Sequence, residues 1–140
     1  MNENEFFNLV TTAIANKISD IGYPIAQVKY PNTDIDLTNV AEHVEILINQ
    51  YVGRKINLKN NRRIYGCVTI KTFTDRSIGS KRAMELAIQI AECLSGKIIQ
   101  RVVFDEYDLK VLDHTLSQTQ TTTSINDFQI NCNIDYSYTR

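Results

Sequence analysis

The chain has 140 residues, a formal net charge of −1, 43% apolar and 22% charged residues. That length suits one domain, able to remove about two-thirds of its unfolded surface from water, and the composition excludes a chain disordered throughout. The near-neutral balance argues against a general grip on nucleic acid or on an anionic membrane, and no run approaches the roughly 18 apolar residues of a membrane span.

Met1-Asn2-Glu3-Asn4-Glu5 is acidic where a signal peptide is basic, so secretion is not expected. Cys67, Cys93 and Cys132 are odd in number, widely spaced and free of any C-x-x-C pair. They suggest neither a disulfide framework nor a zinc site, and read as buried free thiols in a reducing cytoplasm.

Residues 3–20 predict an amphipathic helix. Phe6, Leu9, Val10, Ala13, Ile14 and Ile18 fall on one stripe, Glu3 and Glu5 suit the positive end of the helix dipole, and Gly22 and Pro24 end the segment. A short extended piece at 25–30 precedes a turn-rich stretch, Pro31-Asn32-Thr33-Asp34-Ile35-Asp36. Residues 43–52 alternate, with Val44, Ile46, Ile48 and Val52 opposed to Glu45, Asn49 and Tyr51, the period of a half-buried strand. A second strand is expected over 62–73, with Ile64, Val68 and Ile70 on one face. The segment 53–61 between them reads as an extended hairpin tip.

A second helix is predicted from Ser80 to Leu94. Its stripe is Ala83, Met84, Ala87, Ile88, Ala91 and Leu94, with Ser80 as N-cap and Gly96 as the stop. Strand character returns over 98–104. Residues 105–113 read as an acidic turn, and 116–123, rich in Thr and Gln, as a strand with a solvated face. The clearest strand is the last. Phe128, Ile130, Cys132, Ile134, Tyr136 and Tyr138 alternate with Gln129, Asn131, Asn133, Asp135 and Ser137, so one side must meet a core and the other water or a partner. Together these predict a single α+β domain over 1–140: an antiparallel or mixed sheet with two helices on one face.

Catalytic motifs are absent from the sequence. Ser77-Ile78-Gly79-Ser80-Lys81 lacks the glycine spacing of a phosphate-binding loop and is explained by a turn and a cap. His43 beside Glu42, and His114 beside Asp113, read as solvated pairs. The Asp34/Asp36 pair lacks the glycine and distant glutamate of a calcium loop, and it and the Asp105 cluster are explained by turn formation. No serine or cysteine lies in a nucleophile motif. No catalytic residue, cofactor or metal is therefore expected.

Charge is unevenly placed. Arg54, Lys55, Lys59, Arg62 and Arg63 fall within ten residues that contain no acid, while Asp105, Glu106 and Asp108 form an opposite run. The basic run is either a solvated hairpin tip or a finger for an acidic partner or DNA phosphate. The acidic run favours a protein partner: in a ring of identical subunits, the basic patch of one copy can meet the acidic patch of the next.

The order of elements resembles that of the tail-terminator and minor tail proteins of long-tailed bacteriophages. The likeness rests on Tyr30-Pro31-Asn32 as the turn, on Arg63-Ile64-Tyr65-Gly66-Cys67-Val68-Thr69-Ile70-Lys71-Thr72-Phe73 as the glycine-bearing strand, on Gly79 and the helix containing Ala83 to Ala91, and on the alternating end from Phe128 to Tyr138. It implies a homo-hexameric ring that caps the tail tube, stops its growth and offers a surface to the head–tail connector. DNA would meet the protein only by passing through the ring. The partners implied are the protein itself, the tail tube protein and the connector. The location implied is the neck end of the virion tail, reached from the host cytoplasm during assembly. No catalytic residue carries over. A head-completion or neck protein of a tailed phage, and a small cytosolic transferase or hydrolase, remain as alternative classes.

Overall fold

The structure, a computed structural model, describes residues 3–31, 33–37, 40–55, 62–75, 78–113 and 128–139. Helix α1 covers Glu3–Asp20 and buries Phe6, Val10, Ala13, Ile14 and Ile18 of the predicted stripe, while Leu9 is half-buried against the core. Lys17 occupies its last turn, where the dipole favours a cation. Gly22, at φ 78°, turns the chain out of the helix. The extended piece expected at 25–30 is a 3-10 turn, Ile25–Gln27, followed by the two-residue strand β1, Val28–Lys29.

Strands β2 (Glu42–Lys55) and β3 (Arg62–Thr74) form the long hairpin, and α2 spans Ser80–Leu94. Then come β4 (Ile98–Ile99), β5 (Val102–Asp113) and β6 (Phe128–Thr139). The six strands make one sheet in the order β1-β2-β3-β6-β5-β4. β1 runs parallel to β2 and every other pair is antiparallel, so the fold is α+β with a mixed sheet. The last strand thus lies in the middle.

Register sorts the side chains into rows. Ile46, Ile70, Cys132 and Leu109 line up across four strands, as do Ile48, Val68, Ile134 and Tyr107. These rows face the two helices and make the core with Phe6, Val10, Ile14, Leu86 and Ile90. Alternation dictates that the intervening residues face away: Leu47, Thr69, Asn133 and Asp108 form one such row, and Glu45, Lys71, Asn131 and Lys110 another. Thr69 Oγ1 donates to Asn133 Oδ1 at 2.8 Å across this open face.

Four sequence expectations need correction. First, α2 buries Ala83, Leu86, Ala87, Ile90, Ala91 and Leu94, whereas Met84 and Ile88 are only half-buried. The helix packs on both the sheet and α1, so its buried arc extends toward Leu86 and Ile90. Second, Ser80 is the first helical residue. The cap position belongs to Gly79, at φ 92°, whose carbonyl accepts from Thr74 Oγ1 at 3.0 Å.

Third, the strand expected over 98–104 is two strands joined by a tight turn in which Gln100 and Arg101 both have positive φ, 49° and 73°, the mirror-image geometry that suits the strand twist. Fourth, the acidic stretch is a strand and not a turn. Asp105 and Glu106 together oppose the single residue Asp135, a bulge that interrupts the alternation on which sequence reading relies. Ser95 Oγ accepts from the Tyr107 amide at 3.2 Å, and the Asp105 carbonyl accepts from Gly96 N–H at 3.3 Å, so the end of α2 holds the bulge. The strand expected at 116–123, and His114, lie outside the described residues.

A single close approach sits at the centre. Tyr136 lies across Gly66 to donate from its hydroxyl to Gln50 Oε1 at 3.0 Å, with its ring 5.9 Å from that of Phe6 and 6.3 Å from that of Phe104. A Cβ on Gly66 would collide with the Asn49 carbonyl and stand 2.7 Å from the Tyr136 hydroxyl. Gly66→Ala is therefore expected to cost about 1–3 kcal/mol, the scale of an overpacked core, read as a lower midpoint in urea unfolding.

Candidate functional site

The β2–β3 hairpin places the basic positions at one end of the sheet. Arg54 and Lys55 close β2, Arg62 and Arg63 open β3, and Lys55 pairs with Arg62. Lys59 lies outside the described residues. Asp105, Glu106 and Asp108 stand exposed on β5. β3 and β6 separate that strand from Arg54 and Lys55 on β2, and β6 alone separates it from Arg62 and Arg63 on β3.

The open face carries a groove of about 470 Å³. Tyr51 and Tyr65 are register partners whose rings sit 5.8 Å apart, 55% and 45% exposed. Asp105 and Asp135 add two carboxylates, and Cys67 and Ser137 complete the wall. Aromatic faces beside carboxylates suit a cationic group such as an arginine side chain. Sequence reading missed this groove. Tyr51 was visible as an outward residue, but its partnership with Tyr65, Asp105 and Asp135 depends on strand order and on the bulge.

The same surroundings set the character of Cys67. Burial, reinforced by the neighbouring Asp135 carboxylate, pushes its thiol pKa up. A nucleophilic cysteine needs the opposite shift. Cys132, fully buried on the helix side, is pushed up to about 12, mainly by burial. Cys67 and Cys93 are only partly buried, against the expectation for all three. Among the described residues, no group of three or more His, Cys, Asp or Glu side chains is placed to hold a metal ion.

His43 and Glu42 are not the solvated pair that their sequence position suggests. His43 is buried, with its ring stacked 4.6 Å from that of Phe73 and Nδ1 3.1 Å from the Val40 carbonyl. Glu42 turns instead to α2. Arg82 Nε donates to Oε1 at 2.6 Å, and the Tyr23 hydroxyl donates to Oε2 at 3.2 Å. Burial and then the Glu42 charge push the Tyr23 pKa up. This cluster ties the chain after α1 to β2 and α2, away from the groove, and its role is structural.

No family model matches the sequence, and no curated protein does. A solved structure is similar over 93% of this chain and 93% of its own length, with a TM-score of 0.62 and 13% sequence identity. A likeness at that identity concerns the fold alone.

The buried histidine gives stability a pH dependence. Burial lowers the pKa of His43 below its ordinary 6.5. The unfolded chain therefore binds the proton more readily, and this contribution is fully present above about pH 6.5 and lost as pH falls toward the folded value. Urea midpoints measured from pH 7.5 down to pH 5 should decline in the native chain. His43→Phe, which keeps the stack on Phe73, should flatten the part of that decline due to the imidazole.

Proposed function

We propose that the protein is a ring-forming structural component of a long-tailed bacteriophage, a tail terminator that caps the tail tube, stops its polymerisation and presents the head-joining surface. The observation that carries this reading is the placement of charge across the sheet. Arg54 and Lys55 lie on β2, two strands from the acidic residues of β5. A second copy presented in the same sense would bring the β2 side of one chain to the β5 side of the next, and such head-to-tail contacts generate rings when the rotation closes. The element order that carries the tail-terminator resemblance also recurs, as helix, hairpin, helix and final alternating strand.

On this reading the protein's partners are itself, in a hexamer, together with the tail tube protein and the head–tail connector, and DNA passes through the lumen. It acts at the neck end of the virion tail after assembly in the host cytoplasm. Arg54, Lys55, Lys59, Arg62 and Arg63 meet Asp105, Glu106 and Asp108 of a neighbour, or face the tube end or the passing DNA. Exposed ion pairs contribute about 0–1 kcal/mol each, so these charges set register and specificity, while apolar contact supplies most of the binding energy.

The test is the triple variant Arg54→Ser, Lys55→Ser, Lys59→Ser. It should keep the circular dichroism of the native chain yet assemble more weakly as salt rises, and fail to yield tails of normal length that join heads. A variant that still assembles and terminates tails normally would overturn the assignment of the basic run to the contact.

A further inference from the structure

The sheet has two open edges. β1 covers β2 only at Val44 and Glu45, and β4 pairs with β5 at Val102 and Val103. Residues 95–97 extend that second cover: the Phe104 amide donates to the Lys97 carbonyl, the Asp105 carbonyl accepts from Gly96 N–H, and the Tyr107 amide donates to Ser95 Oγ. Among the described residues, no strand pairs with the outer side of 46–55 or of 108–113. At the rise of an extended strand the second stretch is roughly 20 Å long, enough to meet residues 46–51 of the first. Each is bounded by a covered stretch that would stop further pairing.

An uncovered edge is a template for another strand, and proteins that stay apart guard it with charge, proline or a bulge. Residues 46–53 of β2, Ile-Leu-Ile-Asn-Gln-Tyr-Val-Gly, contain no charged residue and no proline. β5 has its bulge and adjacent acidic pair, Asp105 and Glu106, at one end, and Asp108, Lys110 and Asp113 spaced along the rest. Between the last two, Val111 is 50% exposed. We propose that copies of this chain join edge to edge, residues 46–51 of one pairing antiparallel with 108–113 of the next, so that one sheet runs through the assembly. This deepens the ring reading of the preceding section and rests on it.

Three observations favour this pairing over two β2 edges meeting. The chain directions are right: β2 and β6 run one way and β5 the other, so copies presented in the same sense offer antiparallel edges. The faces agree. Residues 46, 48 and 50 look toward the helices, as do 107, 109 and 111, and partners in an antiparallel ladder share a face. Flush alignment of the two stretches, with 46 opposite 113, is one of the registers that keeps the helix-side rows continuous. It sets Ile48 beside Val111, and Asn49 beside Lys110 on the open face.

Charge agrees as well. In that register Asp108 falls opposite Tyr51, and position 54 beyond it falls level with the acidic bulge at 105 and 106.

Asn49 and Lys110 are both exposed, so a disulfide between cysteines placed there reads the register directly. In a background with Cys67→Ser and Cys93→Ser, Asn49→Cys and Lys110→Cys proteins are mixed, oxidised with diamide and resolved without reductant. The mixture should give a covalent dimer that neither protein gives alone, and the doubly substituted chain a ladder ending at the ring size. A mixture of Asn49→Cys with Asn16→Cys, on exposed α1, should give neither. The mass of the unoxidised proteins is measured in parallel. A multimer without the 49–110 disulfide would overturn the edge pairing and leave the ring reading standing. A disulfide from Asn49→Cys alone would put two β2 edges together and overturn it equally. A monomer at every concentration would remove both.

Discussion

The structure depends on the insertion of its last strand between β3 and β5. Each of the rows that face the helices passes through a residue of β6, from Ile130 to Tyr136. Without that strand the β2–β3 hairpin and the β4–β5 hairpin share no edge, and the helices lose the floor on which Leu86, Ile90 and Phe6 rest. The Tyr136–Gly66–Gln50 crossing fixes where β6 sits along β3. Because the ring fits only where a Cβ is missing, a slip by one residue would also turn the whole apolar set to the open face. A sheet whose centre is supplied by the end of the chain is dominated by nonlocal contacts, so its closure must wait for β6.

That architecture divides the labour between centre and periphery. The middle strands are paired on both sides and covered by two helices on one face. The edges and the open face are where another molecule can be met: the tyrosine and aspartate groove, the uncharged stretch of β2 and the bulged β5. The bulge links the two realms. Ser95 and Gly96 at the end of α2 hold it, and it presents Asp105 to the groove while Phe104 and Tyr107 stay on the core side. A structural device of the helix terminus thus positions the acidic residues on which the proposed contact turns.

How much of this was legible in the sequence differs by element. α1 and α2 follow from helical stripes and glycine stops, and β6 from strict alternation, because each signal is local. β5 was missed because the two-residue bulge puts Phe104 and Tyr107 three apart and hides the period of two. The phase of α2 was misjudged because Leu86 and Ile90 are buried through α1 as well as the sheet, which a single stripe cannot reveal. His43 looked solvated beside Glu42, yet neighbours on a strand face opposite ways. The histidine met Phe73 across the hairpin, and the glutamate met Arg82 of α2. The charged runs were legible as composition, their placement across the sheet was not, and the groove required knowing that β6 lies between β3 and β5.

Amide hydrogen exchange as a function of protein concentration tests the account most directly, since it reports protection strand by strand in the unmodified chain. The account predicts that β3 and β6 exchange slowly at every concentration. Residues 46–51 and 108–113 should exchange faster in dilute solution and become protected together, over the same range, as concentration rises. Edges whose exchange is unchanged by concentration, or a β6 that exchanges as fast as the edges in dilute solution, would contradict it.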